Sequence, residues 1–133
     1  MTAEEKIPEC FVAMPISDPD GYDTGHFSRV YEQVFRPACE RAGVRPVRAD
    51  EVRETNLIHL DVLRRLVDSP VVLCDLSGRN PNVLFELGMR QAFDKPVVLV
   101  QESGASPIFD VALLRVTPYR RSGLYSSCPC VAK

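Results

Sequence analysis

A chain of 133 residues falls within the range of one domain, and folding at that length buries most of the apolar surface a core requires. With 45% hydrophobic and 26% charged residues and a net charge of -2, its composition excludes a broad basic footprint for nucleic-acid polymers, so a ligand must be selected by a local site. No apolar run approaches the ~20 residues that span a bilayer, and Met1 to Pro8 has no signal-peptide core, so no membrane partner and a cytoplasmic location are expected.

Five apolar, β-branched runs alternate with helical patterns, the signature of a parallel sheet with helices on both faces. The first run, Cys10 to Met14, is almost uniformly apolar, as for a strand buried on both faces, and Pro15 ends it. A polar loop, Ile16 to Gly25, follows. From Phe27 the positions Val30, Tyr31, Val34, Ala38 and Ala42 recur at helical spacing, Pro37 is expected to kink the helix, and Gly43 stands where a left-handed residue would stop it. His26, at the start of this helix, and His59 are isolated in sequence and read as solvated or packing residues.

The second strand, Val44 to Arg48, tolerates Pro46 if it lies at an edge. Ala49-Asp50-Glu51 leads to a second helix marked by Ile58, Val62, Leu63 and Leu66. Val71 to Cys74 is the most apolar strand and should be central, with Pro96 to Val100 comparable and Ala112 to Tyr119 weaker. Between the third and fourth strands Asn80-Pro81 starts the third helix, asparagine capping free amides and proline losing nothing at the first helical position. Short connections and right-handed crossovers predict a flavodoxin-like (Rossmann-like) three-layer α/β sandwich, a five-stranded parallel sheet of order 2-1-3-4-5. One domain over residues 1–133 is expected, with flexible tails at 1–8 and 120–133.

Five cysteines at irregular positions argue against a disulfide framework. Cys10 and Cys74 sit in strands as small hydrophobes, and Cys128 and Cys130 supply only two of the ligands a metal needs. Neither a metal nor a cofactor is expected.

Ligands of open α/β sheets bind outside the carboxyl ends of the strands where the strand order reverses, here between strands one and three. That point gathers Met14, Pro15, Ile16 and Ser17, then Asp50 and Glu51, then Asp75 to Asn82. Asp75 ends an apolar strand and loses hydration unless Ser77, a backbone amide or a ligand supplies hydrogen bonds; a carboxylate capping the turn explains it equally well. Arg79, Asn80 and Asn82 stand at the positive end of the third helix, where an anion is favoured, although capping accounts for the same residues more economically. Glu86 is four residues beyond Asn82 and four before Arg90. Spacing alone favours an ion pair with Arg90 worth about 0.3 to 0.5 kcal/mol. The alternative turns Glu86 into a cleft while Val83, Leu84, Phe85 and Leu87 cover the helix.

Taken together, Phe-Val-Ala-Met-Pro-Ile-Ser at 11–17, Ala-Asp-Glu at 49–51 and Asp-Leu-Ser-Gly-Arg-Asn-Pro-Asn-Val-Leu-Phe-Glu-Leu-Gly at 75–88 resemble the nucleoside 2-deoxyribosyltransferase-like superfamily. That group includes deoxyribosyltransferases and nucleoside 5'-monophosphate N-glycosidases, and is related in fold to Toll/interleukin-1 receptor domains, some of which cleave NAD. The similarity covers Cys10 to Tyr119. It implies that Glu86 attacks or stabilises the anomeric carbon and that Asp75 assists as acid or orienting group, both carboxylates sharing one cleft. It further implies that Met14 to Ser17 face base and sugar and that Arg79, Asn80 and Asn82 approach the ribose or phosphate, with Asp50 and Gly88 also among the substrate-binding residues. Phe85 replaces the common tyrosine, and Gly-Arg-Asn-Pro-Asn replaces the Asp-Ser-Gly-Thr-like segment. Relatives complete the pocket from the C-terminal region of a neighbouring subunit, so a homodimer or larger homo-oligomer is implied, although little of this chain follows Tyr119.

The expected function is cleavage or transfer at the N-glycosidic bond of a nucleoside, nucleoside monophosphate or NAD-like molecule. The alternative is a nucleotide-binding sensor or interaction module, of the Toll/interleukin-1 receptor kind, that turns nothing over.

Overall fold

The computed structural model describes residues 6–18, 20–49, 58–106, 108 and 114–120, the side chains of residues 58 and 59 excepted. Asp50, Glu51, Cys128 and Cys130 lie outside the described residues, as does the side chain of His59. Among the described residues no helix is long and apolar enough to cross a membrane.

Five strands, β1 (Glu9–Ala13), β2 (Arg45–Arg48), β3 (Val71–Asp75), β4 (Val97–Glu102) and β5 (Val116–Tyr119), form one parallel sheet of order β2-β1-β3-β4-β5. The α/β Rossmann-like architecture read from the alternating runs is therefore the one observed. β3 is central, and β2, whose Pro46 pairs with Cys10, is an edge strand where a missing N–H leaves no ladder bond unmade on its outer side.

Strand alternation divides the core in two. On one face Cys10, Val12, Val100 and Tyr119 pack with Phe27, Val30, Tyr31 and Phe35. On the other, Phe11, Ala13, Val72, Cys74 and Leu99 pack with Leu66, Val83 and Leu87. The first face is covered by α1 (His26–Val30) and α2 (Arg36–Arg41), the second by α3 (Ile58–Asp68) and α4 (Pro81–Ala92).

α1 and α2 form one helical run joined by a π turn, Tyr31–Phe35, just before Pro37. Proline offers no N–H to the preceding turn and crowds its carbonyl, and a wider turn accommodates both. The extra residue rotates everything beyond it. Cys39 is buried, whereas Ala38 and Ala42, which a uniform helical spacing puts on the apolar face, are exposed. Gly43 has φ 76 and closes the helix as anticipated: its amide reaches Glu40 O at 3.2 Å, and the Val44 amide reaches Cys39 O at 3.0 Å.

Candidate functional site

β3 carries Val71 and Leu73 toward the α1 face and Val72 and Cys74 toward the α4 face, so Asp75 continues the first series. Asp75 is wholly buried. Its Oδ1 accepts from the Ser77 amide at 3.0 Å, the turn cap that is the plainer of its two sequence readings, and its Oδ2 accepts from the Tyr119 hydroxyl at 2.7 Å. Ser77 Oγ lies 3.1 Å from that hydroxyl and accepts from the Glu102 amide at 2.8 Å.

Because Tyr119 gives its only proton to Asp75, the Ser77 hydroxyl is the donor where the two hydroxyls meet, while it accepts from the Glu102 amide. The relay of donors ends on a carboxylate. Burial raises the Asp75 pKa from 3.8 to about 6, the hydrogen bonds from Ser77 and Tyr119 pull it back, and the Glu102 charge adds to the rise. Tyr119→Phe removes a donor from this buried anion. Its cost should be about 2 kcal/mol at neutral pH and shrink below about pH 6, where the carboxyl is neutral; urea denaturation at the two pH values measures it.

Of the two sequence readings of His26, solvated or packing, the structure shows the packing one. It is buried, its Nε2 is paired with the buried Glu102 carboxylate, and its ring centroid lies 5.1 Å from that of Tyr22. No local spacing links residues 26 and 102. Only the topology brings the start of α1 over the end of β4. Glu102 itself carried a readable signal, an acid closing an apolar strand as Asp75 does, but strand four runs two residues past its predicted end at Val100.

The loop after β1 is pinned. Asp18 accepts from the Gly25 amide at 2.6 Å and the Phe27 amide at 3.0 Å. Burial alone would raise its pKa, but these amides, with His26 and Arg29, hold it below its ordinary value. Of the predicted contact residues, Met14 and Pro15 are buried while Ile16 and Ser17 face outward.

Before α4 the chain reverses through Gly78 (φ 76) and Arg79 (φ 51). Asn80 Oδ1 accepts from the Asn82 amide at 2.9 Å and the Val83 amide at 3.4 Å, and Asn80 O accepts from the Leu84 amide at 3.1 Å. The first-turn amides are thus taken by Asn80, as its capping reading anticipates, and Arg79 and Asn82 are exposed beside them. Asn80→Ala should cost about 1 kcal/mol, read from the urea midpoint.

Glu86 is half-buried on one flank of the inward stripe Val83, Leu87 and Arg90. The ion pair with Arg90 that spacing favours does not form. Arg90 is fully buried and donates instead to the carbonyls of Leu66 and Ser69, at 2.9 and 2.8 Å, and of Pro96 at 3.0 Å. The carbonyl-rich end of α3 holds the guanidinium more fully than one carboxylate could. Among the described residues Glu86 has no hydrogen-bond or ion-pair partner, and burial raises its pKa from 4.5 to about 7. Glu86 lies on α4, the helix that covers the Cys74 face of the sheet, and Cys74 is pushed up to about 12 by burial and then by the Glu86 charge. Phe85 does not cover the helix: it is 61% exposed. Gly88 is exposed, and a Cβ there would meet nothing within 4 Å, so no backbone or side chain presses against it.

Asp75 and Glu86 therefore stand on opposite faces of the sheet rather than in one cleft. Asp75 is closed off by its own hydrogen bonds, whereas Glu86 has no partner among the described residues. A cleft of about 500 Å³ opens at the ends of β4 and β5, lined by Leu76, Gln101, Ser103, Ile108 and Val116, two strands away from the β1 side of the predicted switch point. Comparison with protein-family models and with curated proteins found no match.

Proposed function

We propose that the chain is a nucleotide-processing enzyme that breaks the N-glycosidic bond of a nucleoside, nucleoside 5'-monophosphate or NAD-like substrate, with Glu86 as the group that meets the anomeric carbon. The reading is supported above all by Glu86 itself, a half-buried carboxylate without a described partner whose pKa is raised to about 7. A charge left uncompensated in a site of low polarity is costly. It becomes favourable when positive charge develops beside it, as it does on the sugar ring during N-glycosidic cleavage.

Asp75 acts as a positioning residue in this reading. Its oxygens fix the Ser77 amide and Tyr119, hence the turn that sets where α4 begins and how Glu86 is presented. Ile16, Ser17, Arg79 and Asn82 are the exposed members of the predicted contact set. Water as acceptor gives hydrolysis, and a second base gives transfer.

Incubation with a panel of nucleosides, nucleoside monophosphates and NAD, with chromatography of the released base, tests the proposal. Release should occur with at least one of them and fall by about 10²-fold or more in Glu86→Gln. No release from any, or equal release by the variant, overturns it.

The closed state of Asp75 favours a second reading, because it leaves no evident acid to protonate a departing base. A nucleotide-binding sensor without turnover would show saturable binding and no released base. That binding would be insensitive to Glu86→Gln and lost in Arg79→Ala.

A further inference from the structure

Two cysteines meet in the core on the α2 face. Strand alternation turns Cys10 toward that face, and the chain leaving α2 comes back beside it. Cys39 O accepts from the Val44 amide at 3.0 Å, the Arg45 amide donates to Pro8 O at 2.8 Å, and Pro46 pairs with Cys10. Both cysteines are buried in one cluster, and the Cys10 thiol donates a hydrogen bond to the Cys39 sulfur. Cys74, the third described cysteine, faces the other side of the sheet.

The π turn is what brings the pair together. A uniform helix from Phe27 would put Ala38 on the apolar face, but the extra residue within Tyr31–Phe35 turns α2 so that Cys39 takes that place and Ala38 is exposed. Such turns are frequent at functional positions, and this one delivers the cysteine of α2 to the cysteine of β1. A thiol beside a second thiol also differs chemically from an isolated core cysteine. The hydrogen bond from Cys10 lowers the pKa of Cys39, against burial and the Glu40 charge; the same bond, and then burial, raises that of Cys10. The thiolate is the group that oxidants attack, and here a second thiol already touches it. α2 is only six residues long, with Ala38 and Glu40 exposed on either side of Cys39, so local opening of this helix admits a small oxidant.

We infer that Cys10 and Cys39 form a reversible oxidation site, at which hydrogen peroxide ties β1 to α2 through a disulfide. The Cys39 thiolate attacks one peroxide oxygen and breaks the O–O bond, giving a sulfenic acid and a hydroxide that takes up the proton Cys39 lost and leaves as water. The Cys10 sulfur then attacks the Cys39 sulfur, and its proton departs with the displaced hydroxyl as a second water. The two sulfurs together give up two electrons, and the peroxide is reduced by two. A thiol reductant reverses the step by exchange. An S–S bond of about 2.0 Å is shorter than a contact between thiols, and the short α2 with the wide turn before it is the part that moves to close the gap.

Mass spectrometry of the full chain carrying Cys128→Ser and Cys130→Ser tests this, after peroxide treatment of the folded protein and alkylation in denaturant. Alkylatable thiols should fall from three to one, that of Cys74, and digestion should release a peptide bearing Cys10 joined to Cys39 that dithiothreitol separates. With Cys39→Ala added, the link should disappear and Cys10 should stay reduced. Adding Ala38→Cys to that variant should not restore the link, because residue 38 faces outward beyond the π turn. Three free thiols after peroxide treatment overturn the inference. So does Cys39 carried to the sulfinic acid without joining Cys10, a link that forms as readily in urea-unfolded chain, or one that residue 38 makes as well as residue 39. Thiol counts and peptide masses do not depend on turnover, so a failure here is separable from a failure of the glycosidic-bond proposal.

Discussion

Glu86→Gln should abolish base release and make the protein more stable at neutral pH. Stability and chemistry are opposed at this residue because the ionised side chain is desolvated and no described residue compensates it. Its pKa is about 7 in the folded protein and 4.5 as a model carboxyl. Between those values the unfolded chain has lost its proton while the native one keeps it, so the native state binds more protons and stability falls as pH rises. Glutamine, never charged, carries no such penalty.

The full shift corresponds to about 3 kcal/mol, and the residual exposure of Glu86 lowers the expectation to about 2 kcal/mol. Urea denaturation should therefore find variant and wild type close near pH 4.5 and separated by about 2 kcal/mol above pH 7, the variant being the more stable. Asp75 contributes a slope of the same sign between 3.8 and about 6, but it is present in both proteins and cancels in the difference. Turnover should follow the opposite course, rising as Glu86 ionises through about pH 7. A variant less stable than wild type at neutral pH would mean that Glu86 has a partner in solution, and would remove the main support for a reactive carboxylate.

The sheet was legible because each strand announces itself locally: five apolar runs, short connections and one handedness of crossover leave few orders to choose from. The cap at Asn80-Pro81 and the stop at Gly43 were legible for the same reason, since each rests on chemistry within four residues. The rotation of α2 was not. A π turn shifts a helical pattern without changing any residue's character, so Cys39 and Ala38 could not be told apart by spacing. Two features of the site had the same cause. Alternation puts Asp75 on the face of Val71 and Leu73, but what it meets on that face, and which way Arg90 turns, depend on groups twenty or more residues distant, Tyr119 in one case and the end of α3 in the other. Placing two carboxylates near one edge of the sheet by sequence does not say on which side of it each one lies.

Removing the guanidinium of Arg90 should be the most destabilising single change to the core. Its Nη1 lies 2.9 Å from Leu66 O, 3.3 Å from Val67 O and 2.8 Å from Ser69 O, Nη2 lies 3.3 Å from Pro70 O, and Nε lies 3.0 Å from Pro96 O. The first two carbonyls belong to the last turn of α3, where no amide of the helix remains to bind them and the dipole is negative. One cation thus closes α3, fastens the turn into β3 and holds the segment before β4, which joins the two helices of the α4 face to the central strands. Arg90→Met keeps much of the stem's packing but leaves several buried carbonyls unpaired, at a cost of about 3 to 5 kcal/mol, comparable with breaking a buried ion pair. Against a total stability of ~5–15 kcal/mol that is enough to unfold a marginal domain. Arg90→Lys retains the charge, but a single ammonium cannot span carbonyls on both sides of a planar fork, and about 2 kcal/mol should still be lost. The midpoint of urea denaturation for the two variants decides the matter. A loss below about 1 kcal/mol in Arg90→Met would show that water or backbone movement satisfies the carbonyls, and that the arginine is not what joins these elements.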